Sequence, residues 1–125
     1  VARKLITRME TAGTLYGRVR EVIGKSIAKG AFPLLEDIAG ELAVSTRKLQ
    51  AVLKDENTCF RKILNDIRRE LAQQYLKDPE TSICDIAFLL GFSEQSAFNH
   101  AFRRWTGVTP RAYRRQEKKG QPVDL

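Results

Sequence analysis

The 125-residue sequence is short of the residues that build most reactive sites: it has one histidine and two cysteines. Cys59, Cys84 and His100 fall short of the four soft ligands of a structural zinc site, so neither a metal nor a cofactor is expected. Two cysteines also fall short of a secreted disulfide framework. Both are expected as small residues packed in or near the core of a cytoplasmic protein. No serine or cysteine nucleophile, paired acid or glycine-rich phosphate loop accompanies His100, which argues against an enzyme and against any catalytic residue. No apolar run approaches the roughly 20 residues of a membrane-spanning helix. At 42% hydrophobic residues there is enough for a core and too little for a membrane protein. The opening "VARKLITRMET" is basic, but no apolar block follows it, so it does not read as a secretory signal. A start at valine is what a fragment would show, the tail end of a longer protein.

What is present is positive charge. Twenty-two Lys and Arg against 15 Asp and Glu give a formal charge of +7 and a pI near 9.7. That balance favours a polyanionic partner, nucleic acid ahead of a membrane surface. Residues 101–115 carry Arg103, Arg104, Arg111, Arg114 and Arg115 with no acid among them.

Strand-like alternation is absent, and apolar residues recur at three and four, so the chain reads as all-α. Leu15, Val19, Val22, Ile23 and Ile27 mark one helical face over 14–29, stopped by Gly30. After Pro33 a short helix has Glu36 and Asp37 in its first turn, where the helix dipole favours them. Ser45 can cap a helix running to about Asp55, and Asn57 offers a left-handed turn. A longer helix over about 59–77 turns Phe60, Ile63, Leu64, Ile67, Leu71 and Tyr75 inward, and Pro79 closes it. Ser82 with Asp85 resembles a capping box. Gly91 ends that helix, Ser93 is expected to cap the next, and Gly107 stops it. Thr109 and Pro110 start a last short helix. The tail "QEKKGQPVDL" is polar and expected to be mobile.

Part of this pattern occurs twice. "DIA" at Asp37–Ala39 returns at Asp85–Ala87, an offset of 85 − 37 = 48. Around it Leu35 matches Ile83, Leu42 matches Leu90 and Val44 matches Phe92. With one extra residue in the second turn, Leu49 matches Phe98, Val52 matches Ala101 and Leu53 matches Phe102. A short helix, a tight turn and a second helix, repeated, is the pattern of a helix-turn-helix. The outer face of the second helix carries Arg47, Gln50, Ala51 and Lys54 in one copy. In the other it carries Gln95, Ser96, Asn99, His100 and Arg103. Arg can pair with guanine, and Gln or Asn with adenine, in a major groove wide enough for a helix. Phe98, Phe102 and Trp105 lie on the opposite face and are expected in the core. Arg68, Arg69 and Glu70 are expected on a solvated face of the long helix.

Residues 14–115 resemble the DNA-binding domain of the AraC/XylS transcriptional regulators, most strongly in "IAFLLGFSEQSAFNHAFRRWTGVTPRAYR". "DIAGELAVSTRKLQAVL" and "TCFRKILNDIRRELAQQYL" extend the likeness, and "KGAFPLLEDIAGELAVSTRKL" is similar to the subgroup with an arabinose-binding-like N-terminal domain. The resemblance implies about seven helices, with two helix-turn-helix subdomains (14–58 and 78–115) joined by a linker helix (59–77). Residues 1–13 would be a connector and 116–125 a polar tail. It implies a cytoplasmic, bacterial transcription regulator, usually an activator, that binds double-stranded DNA. RNA polymerase would be a further partner, and a missing N-terminal domain would bind a small-molecule effector. Recognition helices over about 46–55 and 94–105 would enter successive major grooves, about 34 Å apart.

Carried over residue by residue, base contacts would come from Arg47, Gln50 and the position of Ala51, and from Gln95, Ser96 and the position of His100. Asn99 could reach base or phosphate. Phosphate contacts would come from helix starts near Ser45 and Ser93 and from Lys54, Arg103 and Arg104. The sequence departs from the family at Ala51 and His100, where arginine is common, and these positions are equivalent in the repeat, since 100 − 51 = 49. Alanine offers only apolar contact to a thymine methyl, whereas imidazole can donate to base or phosphate. Asn57 replaces the usual glycine. The Arg111–Arg115 stretch is either a phosphate clamp or a solvated helix face, and the clamp is favoured. A rival class, a module whose faces dock protein, would bind with a much shallower dependence on salt.

Overall fold

A computed structural model of the chain describes residues 14–118. The expected connector over 1–13 and the tail beyond 118 lie outside the described residues. Among the described residues there are seven helices and no strand: α1 Leu15–Ala28, α2 Leu35–Glu41, α3 Thr46–Asp55, α4 Phe60–Leu76, α5 Ile83–Leu89, α6 Gln95–Thr106 and α7 Pro110–Lys118. The last helix therefore runs three residues past the expected Arg115. No helix among them is long and apolar enough to cross a membrane. Two compact units meet within α4, one ending at Ile67 and the other beginning at Arg68.

In the first unit α1 packs on α2 and α2 on α3. Val19, Ile23 and Ile27, four apart on α1, are buried together with Ile38 and Ala39 of α2 and Leu49 and Leu53 of α3. Ile63, Leu64 and Ile67 from the first turns of α4 are also buried. Each such aliphatic side chain contributes roughly 1.5–3 kcal/mol when removed from water. The helix boundaries follow local chemistry. Thr14 Oγ1 accepts from the Gly17 amide at 3.3 Å, and Ser45 Oγ accepts from the Lys48 amide at 3.0 Å, each satisfying an orphan donor of the first turn.

The second unit repeats the motif with aromatic filling. Here α5 packs on α6 and α6 on α7. Phe98 and Phe102 are fully buried, Ile86, Ala87, Leu90 and Tyr113 nearly so, and Ala72 and Leu76 arrive from the end of α4. Phe102 meets Phe98 at 5.8 Å and the Tyr113 ring edge-on at 5.5 Å between centroids. Trp105 lies against Phe92 and Phe102 but is only half-buried, less enclosed than its face of the helix suggested.

Four helices end in the same way. The residue after the C-cap turns left-handed, its amide bonds back three residues, and the following amide reaches back five, the hydrogen-bond pattern of a Schellman cap. Gly30 (φ 82°), Asn57 (φ 60°) and Gly91 (φ 88°) take this position as expected. The fourth is Ala43 (φ 57°), in the turn of the first helix-turn-helix. Its bonds, Ala43 N–H to Gly40 O and Val44 N–H to Ala39 O, are the repeat counterparts of Gly91 N–H to Phe88 O and Phe92 N–H to Ala87 O. An alanine here carries the left-handed strain of roughly 1–2 kcal/mol that glycine escapes.

Three expectations change. Cys59 and Cys84 are both exposed rather than in the core, since each lies near the start of a helix, on its solvent side. Ser93 does not cap α6: Glu94 is the N-cap residue and makes no side-chain cap bond. Glu94 stands where Ser45 stands in the first copy (94 − 45 = 49), so Ser93 is the extra residue of the longer turn. Arg68 is not on a solvated face. It is buried, and its Nε–H donates to the Leu90 carbonyl at 3.0 Å while its guanidinium lies 4.1 Å from the centre of the Phe92 ring.

Candidate nucleic-acid interface

Each unit presents the outer face of its second helix. On α3, burial of Leu49 and Leu53 leaves Arg47, Gln50, Ala51 and Lys54 exposed. On α6, burial of Phe98, Ala101 and Phe102 leaves Gln95, Ser96, His100, Arg103 and Arg104 exposed, with Asn99 half-buried. The cause is the 3.6-residue turn: once the apolar stripe faces the core, the polar set has no other direction to point. Among the described residues, none of Arg47, Lys54, Arg103, Arg104, Arg111 and Arg115 is held in an ion pair. The ion pairs Lys25–Glu21 and Lys62–Asp66 lie on other faces, within single helices.

The two helix starts differ in electrostatics. The first has a neutral serine cap at Ser45. At the second, the Ser96 hydroxyl donates to Glu94 Oε1 at 3.1 Å, so a carboxylate already occupies the neighbourhood of the α6 N-terminus, which its dipole favours. Arg103 and Arg104 occupy the last turn of α6, where the dipole favours cations as well.

Two arginines that look alike in sequence to the exposed ones serve the scaffold. Arg68 grips the carbonyl that ends α5 and stacks on Phe92, whose ring in turn lies 5.6 Å from Phe98 on α6. The turn and α6 are thus set from behind by one guanidinium. Burial pulls the Arg68 pKa down from the ordinary guanidinium value to about 10, which still leaves it charged at neutral pH. Arg114 donates to three main-chain carbonyls, from Nε to Leu76 at 3.0 Å and from Nη2 to Asp78 at 3.1 Å and Thr81 at 2.6 Å. It fastens α7 to the end of α4 and leaves the expected phosphate clamp without its Arg114 member. Asp78 caps the same corner. Its carboxylate accepts from the Glu80 amide and the Thr81 hydroxyl, which holds its pKa below the ordinary carboxylate value.

The remaining arginines of α7 frame a groove of about 780 Å³ on the second unit. Its lining includes Ile83, Cys84, Gln95, Asn99, Arg111 and Arg115, and no acid. Among the described residues no cluster of three or more His, Cys, Asp or Glu could hold a metal ion.

Two helix-turn-helix units with free cations and amides on the outer face of each second helix define a DNA-binding protein. The helix-turn-helix domain family matches residues 38–116, more than half of the chain. An ornithine utilization regulator of Pseudomonas aeruginosa is 40% identical over 111 residues, which cover 88% of this chain and 32% of that protein. The crystal structure of a DNA-binding transcriptional dual regulator from Escherichia coli K-12 aligns with a TM-score of 0.77 at 30% identity, over 82% of this chain and 90% of that one. A Chromobacterium violaceum transcriptional regulator, described as AraC-type, aligns with a TM-score of 0.73 at 28% identity, over 80% and 88% of the two chains. The chain belongs to the AraC-type family of helix-turn-helix transcription regulators, which are DNA-binding proteins. It spans about a third of the length of the ornithine utilization regulator.

Proposed function

We propose that the protein is a sequence-specific, cytoplasmic transcription activator that places α3 and α6 in successive major grooves of one duplex. The observation that carries this reading is the repeated polar face: Arg47 and Gln50 on α3, and Gln95, Ser96 and His100 on α6, all exposed above buried apolar stripes. Arg47, Gln50 and Gln95 read base edges, and Asn99 reads base or phosphate. Ala51 meets a thymine methyl, and His100 donates to base or phosphate where relatives commonly have arginine. Ser45, Lys54, Arg103 and Arg104 hold phosphates, and Ser93 does so from the turn rather than from a cap. A small-molecule effector is sensed by an N-terminal domain, and RNA polymerase is the downstream partner. Phe88, 79% exposed, sits beside exposed Leu89 on α5, away from the buried stripe, which leaves an apolar surface for a protein contact.

The test begins with selection of duplexes from a random library, followed by fluorescence anisotropy on the enriched and scrambled sequences at physiological salt. Preference for the enriched duplex is expected. Arg47→Ala and Gln95→Ala should relax that preference by about 1–3 kcal/mol at one position each, whereas Arg103→Ala should weaken all duplexes alike. The absence of any preference over scrambled duplex would sink the specific reading. Equal losses on both duplexes would remove Arg47 and Gln95 from base recognition.

A further inference from the structure

We propose that the groove between the start of α5, the start of α6 and α7 seats the sugar–phosphate backbone of the DNA strand next to the α6 contact, with Arg111 and Arg115 as phosphate ligands; this rests on the DNA-binding reading above. Several observations converge on it. Gln95 and Asn99, from the face of α6 that meets bases, also line the groove, so a duplex read by α6 lies against its mouth. Arg111 and Arg115 are exposed and four residues apart, which puts them on one face of α7 with Cβ atoms about 5–6 Å apart. Arg114, between them, is spent on the Leu76, Asp78 and Thr81 carbonyls. No carboxylate lines the groove to oppose its positive charge. Two grooves on the first unit differ in this respect: one is lined by Glu36, Asp37 and Glu41 with no cation, which would repel a phosphate chain, and the other sets Glu21 and Glu41 among Arg18, Lys25 and Lys29. Finally, Ile83 and Pro110 give the second-unit groove apolar walls against which a deoxyribose can rest.

Cys84 lines the groove and Cys59 is exposed on the other unit, so the protein carries its own probe. The 125-residue chain is alkylated with N-ethylmaleimide, with and without a saturating amount of the selected duplex, and the rate at each cysteine is followed by mass spectrometry. Anisotropy on the same samples reports duplex occupancy. With the duplex bound, Cys84 should react at least fivefold more slowly, with Cys59 reporting any general slowing. In parallel, the Arg111→Ala/Arg115→Ala double variant should flatten the log–log salt dependence by about 1.8, which is two phosphates at roughly 0.9 each, on selected and scrambled duplex alike. Retained far-ultraviolet circular dichroism and Trp105 emission verify its fold. Bound duplex with Cys84 slowed less than fivefold, or an unchanged salt slope in a folded variant, overturns the groove assignment and leaves DNA binding standing. If no duplex binds at all, the DNA-binding reading fails and the groove assignment with it.

Discussion

Arg68 offers the sharpest test of how the second unit is held together. Replacing it with alanine removes a charge-assisted hydrogen bond to Leu90 O, worth about 1.5–3 kcal/mol, and leaves that carbonyl unpaired at the end of α5. It also removes the guanidinium from the Phe92 ring, worth about 1 kcal/mol in a partly dry setting, and the packing of the arginine stem. Working against these losses, the charge no longer has to be buried. That relief is real, because burial has already lowered the arginine's pKa to about 10. The balance is a net cost of about 2–4 kcal/mol. Trp105, the only tryptophan in the chain, lies 6.2 Å from Phe92 and reports on this region directly. Urea unfolding followed by Trp105 emission should therefore shift by that amount for Arg68→Ala. Arg68→Lys should lose a comparable part of it, since an ammonium cannot donate in-plane to Leu90 and stack flat on Phe92 together. A loss below about 0.5 kcal/mol for Arg68→Ala would refute the reasoning, and Arg68 would then be an ordinary surface residue.

Two further outcomes follow from burial and backbone geometry. Ala43→Gly should stabilise the first unit by about 0.5–1 kcal/mol in thermal or urea unfolding, because relief of left-handed strain exceeds the added freedom of the unfolded chain; a destabilised variant would contradict the φ of 57°. Phe102→Ala should cost about 3–5 kcal/mol and Trp105→Ala only about 2–3 kcal/mol, as the first ring is fully enclosed and the second half-exposed. Circular dichroism melts showing the reverse order would invalidate the assigned core.

Much of this protein was legible one residue at a time. Helix ends at Gly30, Asn57, Gly91 and Gly107, caps at Ser45 and Ser82, and the buried stripes of α3 and α6 depend on interactions within a few residues, and sequence carries those directly. The exposed candidate faces came out for the same reason, as the complement of the stripes. Errors clustered where the outcome depends on what a side chain meets at long range. Arg68 is 22 residues from Leu90, and Arg114 is 38 from Leu76, so a run of basic residues on a helix cannot reveal that these two are scaffold while Arg111 and Arg115 are exposed. Cys59 and Cys84 were misplaced because small apolar residues carry weak directional information; the packing around them decides. Ser93 was misplaced by a single residue of turn length, which is enough to put Glu94 at the α6 N-cap.

By itself, then, the order of residues determined the helices, their ends, the duplicated helix-turn-helix and the set of polar residues that must face outward. Helical periodicity and capping are local physics, and local physics is written in consecutive residues. Tertiary structure alone decided which arginines hold the fold and which remain available to an anion. It also decided that an alanine would bear the strain of the first turn, and that a groove lined by no carboxylate would open beside the start of α6. Those outcomes depend on carbonyls, rings and charges brought together from distant parts of the chain, and their separations exist only once the core has closed.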